Sequence, residues 1–218
     1  LAAAGSGFVF LQMELVWYRM LSPLLGGCSY TFGLILAVAL FGIGVGGLGY
    51  TLRGADRPAS LGSFAQTCGL EALAVAVPFA LGDRVAWLAM CLRPMGSIGL
   101  AGHVLAWTAV TSVVVLPAAL VAGYQFPLLI ALLGRGQTEL GRQVGLTYAF
   151  NTAGAIVGSL AGGFALMPIL GALGMWRATV WVLAILGAGA LVLHLRASRA
   201  RSSTLLAPVC TLLLALAA

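Results

Sequence analysis

The chain has no lysine, only five acidic residues and two histidines in 218 residues, and charged side chains make up 7% of it. A soluble globular domain carries about 25% charge, so a soluble fold is excluded. The formal charge of +6 comes entirely from arginine. Without a polar domain behind it, such an excess reports membrane orientation and not a nucleic-acid-binding face. Cys28, Cys68, Cys91 and Cys210 form no C-x-x-C pair, and no histidine stands at metal-ligand spacing from any of them. They read as small buried apolar residues, and no metal or cofactor is implied. No serine–histidine–acid or cysteine–histidine set is recognisable, which leaves no case for hydrolysis.

Apolar residues, by contrast, make up 61% of the chain. The length accommodates six to seven spans of ~20 residues with short loops. The expected fold is therefore all-α, a polytopic membrane bundle over residues 1–195. A basic cytoplasmic linker follows over 196–203, and a final apolar helix over 204–218. The chain begins at Leu1 rather than Met and stops inside an apolar run, as part of a longer product would. Its first segment lacks a basic n-region and contains Glu14 and Arg19, so it does not read as a cleavable signal peptide.

The stretch Gly141–Gly171 organises the rest. After Arg142 it runs without a formal charge, and Gly154, Gly158 and Gly162 recur at a spacing of four. That spacing lines one helical face with small residues and lets a neighbouring backbone approach closely. Asn151 is its strongly polar side chain, expected to bond across helices and set the register of spans one and five. Gly42 and Gly46 repeat the pattern in the second span. Residues 44–49 also match G-x-G-x-x-G, but no strand precedes them and the glycines lie inside an apolar helix, so a nucleotide site is not expected.

In order, spans are expected over Leu1–Leu21, Tyr30–Leu52, Leu61–Leu81, Ile98–Ala122, Gly141–Pro168 and Trp176–Leu195. Asp83–Pro94 carries Val85, Leu88, Ala89 and Leu92 on one side and reads as a short helix lying at the interface. Pro117 and Pro127 flank Ala122–Phe126, where a kink or break is expected. Broken backbone at membrane depth must be covered by protein or line a cavity, which draws attention to Tyr124 and Gln125. Seven arginines (53, 57, 135, 142, 196, 199, 201) fall after even-numbered spans and four (19, 84, 93, 177) on the other side. This places the N-terminus in the cytoplasm; the expected location is a bacterial-type inner (plasma) membrane.

Glu14 and Glu71 are the costly residues. A carboxylate at bilayer depth costs about 2.5–3.5 kcal/mol on insertion scales, and such groups face a bundle interior or a cavity. Two of them on one cavity would attract a cationic amine. The structural alternatives are that Glu14 pairs with Tyr18 or Arg19, that Glu71 sits protonated against a hydroxyl or carbonyl, and that Asn151 is interhelical glue.

Three stretches carry a family resemblance. They are Glu14–Arg19 with Leu21, Gly26, Tyr30 and Phe32; Phe126–Leu129; and Val144–Gly158 with Gly163, Phe164 and Pro168. Together they resemble the membrane domain of fused spermidine synthase-like proteins. There, helices similar to half of a major facilitator transporter precede a soluble aminopropyltransferase-like domain. The loop Gly47–Pro58 is similar to the facilitator loop between spans two and three, with Asp56 and Arg57 at its acidic–basic pair. The resemblance implies a non-catalytic anchor or docking domain that binds a small cation such as a polyamine. The implied partners are the bilayer, the aminopropyltransferase-like domain, and other membrane subunits or a second copy. A Rossmann-like catalytic domain cannot form from this chain, which has five acidic residues and no strand-rich polar segment. The rival readings are a transporter half working as a homodimer and an accessory subunit of a larger complex.

Overall fold

A computed structural model describes residues 1–27, 29–54, 58–134 and 140–197. Among them every regular element is helical. The long helices are α1 (Ala2–Leu25), α2 (Ser29–Gly49), α3 (Leu61–Leu81), α5 (Leu100–Leu133), α6 (Leu140–Ala161) and α7 (Met167–Ala197). The short α4 (Asp83–Leu92) lies between α3 and α5. Ser60 caps α3, its Oγ accepting from the Ser63 amide at 3.1 Å. On α4, Val85 is buried and Leu88, Ala89 and Leu92 pack against the core, while Trp87 and Met90 face outward.

Among the described residues, four stretches are long and apolar enough to cross a membrane: Ser29–Leu52, Leu61–Leu81, Leu100–Leu133 and Gly141–Ala197. The expected first span is not among them, because Gln12, Glu14 and Arg19 dilute the apolar run of α1. The expected fifth and sixth spans lie together in the last stretch. Only 28% of the α2 stretch is buried inside the bundle. Its outward Leu40, Phe41, Val45 and Leu48 form an apolar surface suited to lipid.

Two expectations about prolines are corrected. The backbone is not broken between Pro117 and Pro127; α5 runs through both as one helix. Proline is tolerated inside membrane helices because neighbouring helices and local adjustment satisfy the freed backbone groups. Nor does the organising helix end at Pro168. It passes through a π turn at Gly162–Leu166, and helical geometry first fails at Gly171 (φ 67°, ψ 176°). That conformation is essentially restricted to glycine. The expected loop pair Asp56–Arg57 and the segment 198–218, with most of the expected linker and the final apolar helix, lie outside the described residues.

Close contacts fix helix directions. Gly154 meets Ala4 and Gly158 meets Phe8, so α6 runs parallel to α1. Gly5 meets Leu186, and Gln12 reaches Met175, so α7 runs antiparallel to α1. The chain therefore reverses between α6 and the main part of α7, and Gly171, near the start of α7, is where helical geometry fails. Gly42 meets Ala119 and Gly46 meets Leu120, so α2 and α5 are parallel. Trp176 bonds Val75 while His194 faces Gly62, so α3 and α7 are antiparallel.

The most extensive pairings are α2 with α5, α1 with α6 and α3 with α7, followed by α3 with α5 and α1 with α7. Exchanging the triad α1, α2, α3 for α5, α6, α7 maps this set onto itself. The weaker pairs α1–α2, α5–α6 and α1–α5 obey the same exchange. Leu1 and Ala2 line one hollow with Leu132 and Leu133, so α1 starts where α5 ends and the exchange inverts the triad. Two inverted three-helix units interlock in one bundle.

Candidate functional site

The interlock is built on glycine. On α6, a methyl group at Gly154 would overlap the carbonyl oxygen of Ala4, and one at Gly158 that of Phe8. On α2, Gly46 is pressed in the same way against Leu120, and Gly42 against the Ala119 side chain. Each tight pair thus has two glycines four apart on one helix. Each also has one glycine on the other: Gly7 against Asn151, and Gly123 against Ile43. Gly162 differs, since its surroundings are the side chains of Leu15, Met175 and Gln12.

Between the two tight pairs lies a cleft of about 380 Å³, walled by α1, α2, α5 and α6. Glu14 and Asn151 both line it, with Ser6, Phe10, Phe126 and Tyr148. Glu14 is half-buried and has no hydrogen-bond or ion-pair partner among the described residues. The expected partners lie elsewhere. Tyr18 stacks edge-on with Phe32 at 5.7 Å, and Arg19 opens onto a separate hollow with Ser22 and Gly27. Asn151 places its Oδ1 against Gly7 and makes no interhelical hydrogen bond among the described residues, so close packing brings α1 and α6 together there. Phe126 and Tyr148 meet edge-to-face at 4.9 Å. A carboxylate beside aromatic faces is the chemistry that holds an organic ammonium ion.

Glu71 and Gln125 are together, but in the core and not in the cleft. Glu71 is 2% exposed and Gln125 1%. The Gln125 Oε1 accepts from the Ser6 hydroxyl at 3.0 Å. Its Nε2 faces α3, donating to Thr67 Oγ1 at 3.2 Å and Cys68 Sγ at 3.5 Å. The Glu71 carboxyl lies beside the Gln125 side chain, and its Oε2 has no hydrogen-bond partner among the described residues.

Tyr124 follows the helix to another side. It pairs with Tyr50 at 5.2 Å and lines a pocket of about 370 Å³ with Gln66 and Thr67. The five candidate polar residues thus occupy three places. Ser6 and Thr67, not singled out from sequence, link them: Ser6 lines the cleft, Thr67 lines the pocket, and both bond Gln125. Gln12 is a further buried polar residue, donating to Thr179 Oγ1 at 3.3 Å and Met175 O at 3.5 Å. The signal for Ser6 and Gln12 was their polarity within an otherwise apolar first helix. Among the described residues, no group of three His, Cys, Asp or Glu side chains is placed to hold a metal ion. No family model, curated protein or solved structure matches the chain.

Proposed function

We propose that this chain is a six-crossing membrane bundle of the facilitator-half type that holds a small organic cation, such as a polyamine, in the cleft at Glu14. The observation that carries this reading is Glu14 itself: an acidic side chain without a partner among the described residues, set among Phe10, Phe126 and Tyr148 between the two tightest helix pairs. The interlocked inverted triads support the facilitator-half architecture, since inverted repeats with a site at their interface are the general plan of such transporters. The reversal between α6 and α7 supports two crossings in Gly141–Ala197. The antiparallel packing of α1 on α7 across the same bundle supports counting α1 as a sixth.

The parent context we favour is a spermidine synthase-like protein of an inner membrane, with this chain as its non-catalytic anchor and docking domain. Its support is the sequence resemblance at Glu14–Arg19, Phe126–Leu129 and Val144–Pro168. The cytoplasmic placement of the N-terminus rests on the arginine bias. A second reading, a transporter formed by two copies, draws on the same architecture, because one inverted pair of triads is half of a facilitator.

The test is equilibrium binding of radiolabelled spermidine to the protein in lipid nanodiscs. Saturable binding that Glu14→Gln weakens at least about tenfold, a loss of ~1.4 kcal/mol, is expected. Binding that is absent, or unchanged in Glu14→Gln, rejects the cation cleft. Spermidine flux into proteoliposomes containing only this chain would favour the two-copy transporter.

A further inference from the structure

We infer that Glu71 is a proton-binding site in the bundle core, wired through Gln125 to Ser6 in the wall of the Glu14 cleft. The proton-site part stands on the core geometry alone. The part in which the cleft senses the proton rests on the cation-cleft reading above.

Oε2 of Glu71 is buried and has no hydrogen-bond partner among the described residues. A buried ionised carboxylate demands a counter-charge or several donors, and the described surroundings supply neither. On α3 itself the other titratable side chain is the buried thiol of Cys68. On α5 the facing group is the neutral Gln125, while His103 sits at the helix start and Tyr124 turns to Tyr50. On α7, Arg177 lies over the Phe79 ring and His194 against Gly62, at opposite ends of α3. On α4, Asp83, Arg84 and Cys91 are exposed. Glu14 of α1 faces the cleft. A proton taken from water onto Oε2 removes the uncompensated charge.

The Gln125 amide makes that proton readable from the cleft. In the observed orientation Nε2 serves α3 and Oε1 takes the single Ser6 hydroxyl proton. An ionised Glu71, which only accepts, favours this arrangement. Ser6 then has its lone pairs free for an N–H of a cation in the cleft. A protonated Glu71 has an O–H to donate and favours the turned amide, with Oε1 toward α3 and Nε2 toward Ser6. Ser6 must then accept from Gln125, and its own proton is left to face the cleft, where it opposes a cation. Proton binding at Glu71 and cation binding at Glu14 therefore compete, and each displaces the other by linkage.

The test is infrared spectroscopy of the protein in lipid across pH, reading the carbonyl stretch of a protonated carboxylic acid. The expected result is a band that Glu71→Gln deletes, Glu71→Asp moves and Ser6→Ala shifts, and that declines when spermidine is added. The aspartate variant carries the assignment if the glutamine variant does not fold. If neither Glu71 variant alters the band at any pH, the proton site is overturned. A Glu71 band indifferent to Ser6→Ala and Gln125→Leu overturns the wiring, as does bound spermidine that leaves the band unchanged. If spermidine fails to bind while the band responds to the Glu71 and Ser6 variants, the proton site and its wire stand and the cation reading of the cleft falls.

Discussion

The carbonyl oxygen of Ala4 occupies the space that a Cβ at Gly154 would take. Backbone meets backbone there, so nothing flexible can yield. Gly154→Ala is expected to destabilise the bundle by about 1–3 kcal/mol, the usual range for overpacking. Gly145, on the same helix, has open space around it, and Gly145→Ala should be neutral or stabilise by about 0.5–1 kcal/mol through helix propensity. Paired thermal-unfolding curves in one detergent check both. Equal effects would reject a close-packed role for Gly154.

Gln125 is the hub of the buried polar chain, and replacing it strands several groups together. Gln125→Leu removes the acceptor of the Ser6 hydroxyl, the donor to Thr67 and the neighbour of the Glu71 carboxyl. Each buried group left unsatisfied costs about 1–3 kcal/mol. Glu71→Leu in the same background should recover part of that loss, because the carboxyl no longer needs a donor. Denaturation of the two single variants and the double variant gives the coupling energy. Strict additivity would separate Glu71 from the network.

Gly171 holds φ 67° and ψ 176° in the middle of a helical stretch. An L side chain in that region costs about 1–3 kcal/mol. Gly171→Ala should therefore lower the unfolding midpoint although open space surrounds the residue. A midpoint equal to that of the parent protein would show that the turn does not need glycine.

The indole Nε1 of Trp176 donates to the Val75 carbonyl at 2.8 Å, deep between α3 and α7. Trp176→Phe keeps the ring contact with Phe79 and deletes the donor. The expected cost is about 1 kcal/mol for the bond, together with a loss of buried-tryptophan fluorescence. The calorimetric midpoint and the emission spectrum are the readouts.

Cys91 is exposed on α4 and Cys68 is buried. With Cys28 and Cys210 changed to serine, a membrane-impermeant maleimide should label Cys91 and spare Cys68. Labelling of Cys91 from the outside of sealed right-side-out vesicles is expected if the N-terminus is cytoplasmic. Labelling only after permeabilisation would invert the orientation.

Local signals in the sequence were legible where the physics is local. The apolar side of Asp83–Pro94 marked the inward face of α4. Gly42, Gly46, Gly154 and Gly158 could be placed on smooth faces from spacing alone. What a residue meets across the bundle could not be read in this way. Tyr124 and Gln125 are neighbours in sequence, yet successive helical residues point about 100° apart, and the two face different spaces. Glu14 and Glu71 share a chemistry but lie on different helices, one in a cleft and one in the core. Of the kink or break expected near Pro117 and Pro127, the break is absent, because neighbouring helices offset proline's local penalty.

The pairing of the helices also sets an order of events during synthesis. All three principal contacts, α1–α6, α2–α5 and α3–α7, join the first triad to the second. When the ribosome has released α3, none of the first three helices has met its main partner. The glycine faces of α1 and α2 must wait in lipid, or against a chaperone, until α5 and α6 emerge. The bundle thus closes late and as a whole, and a chain arrested after α3 should be a target for membrane quality control.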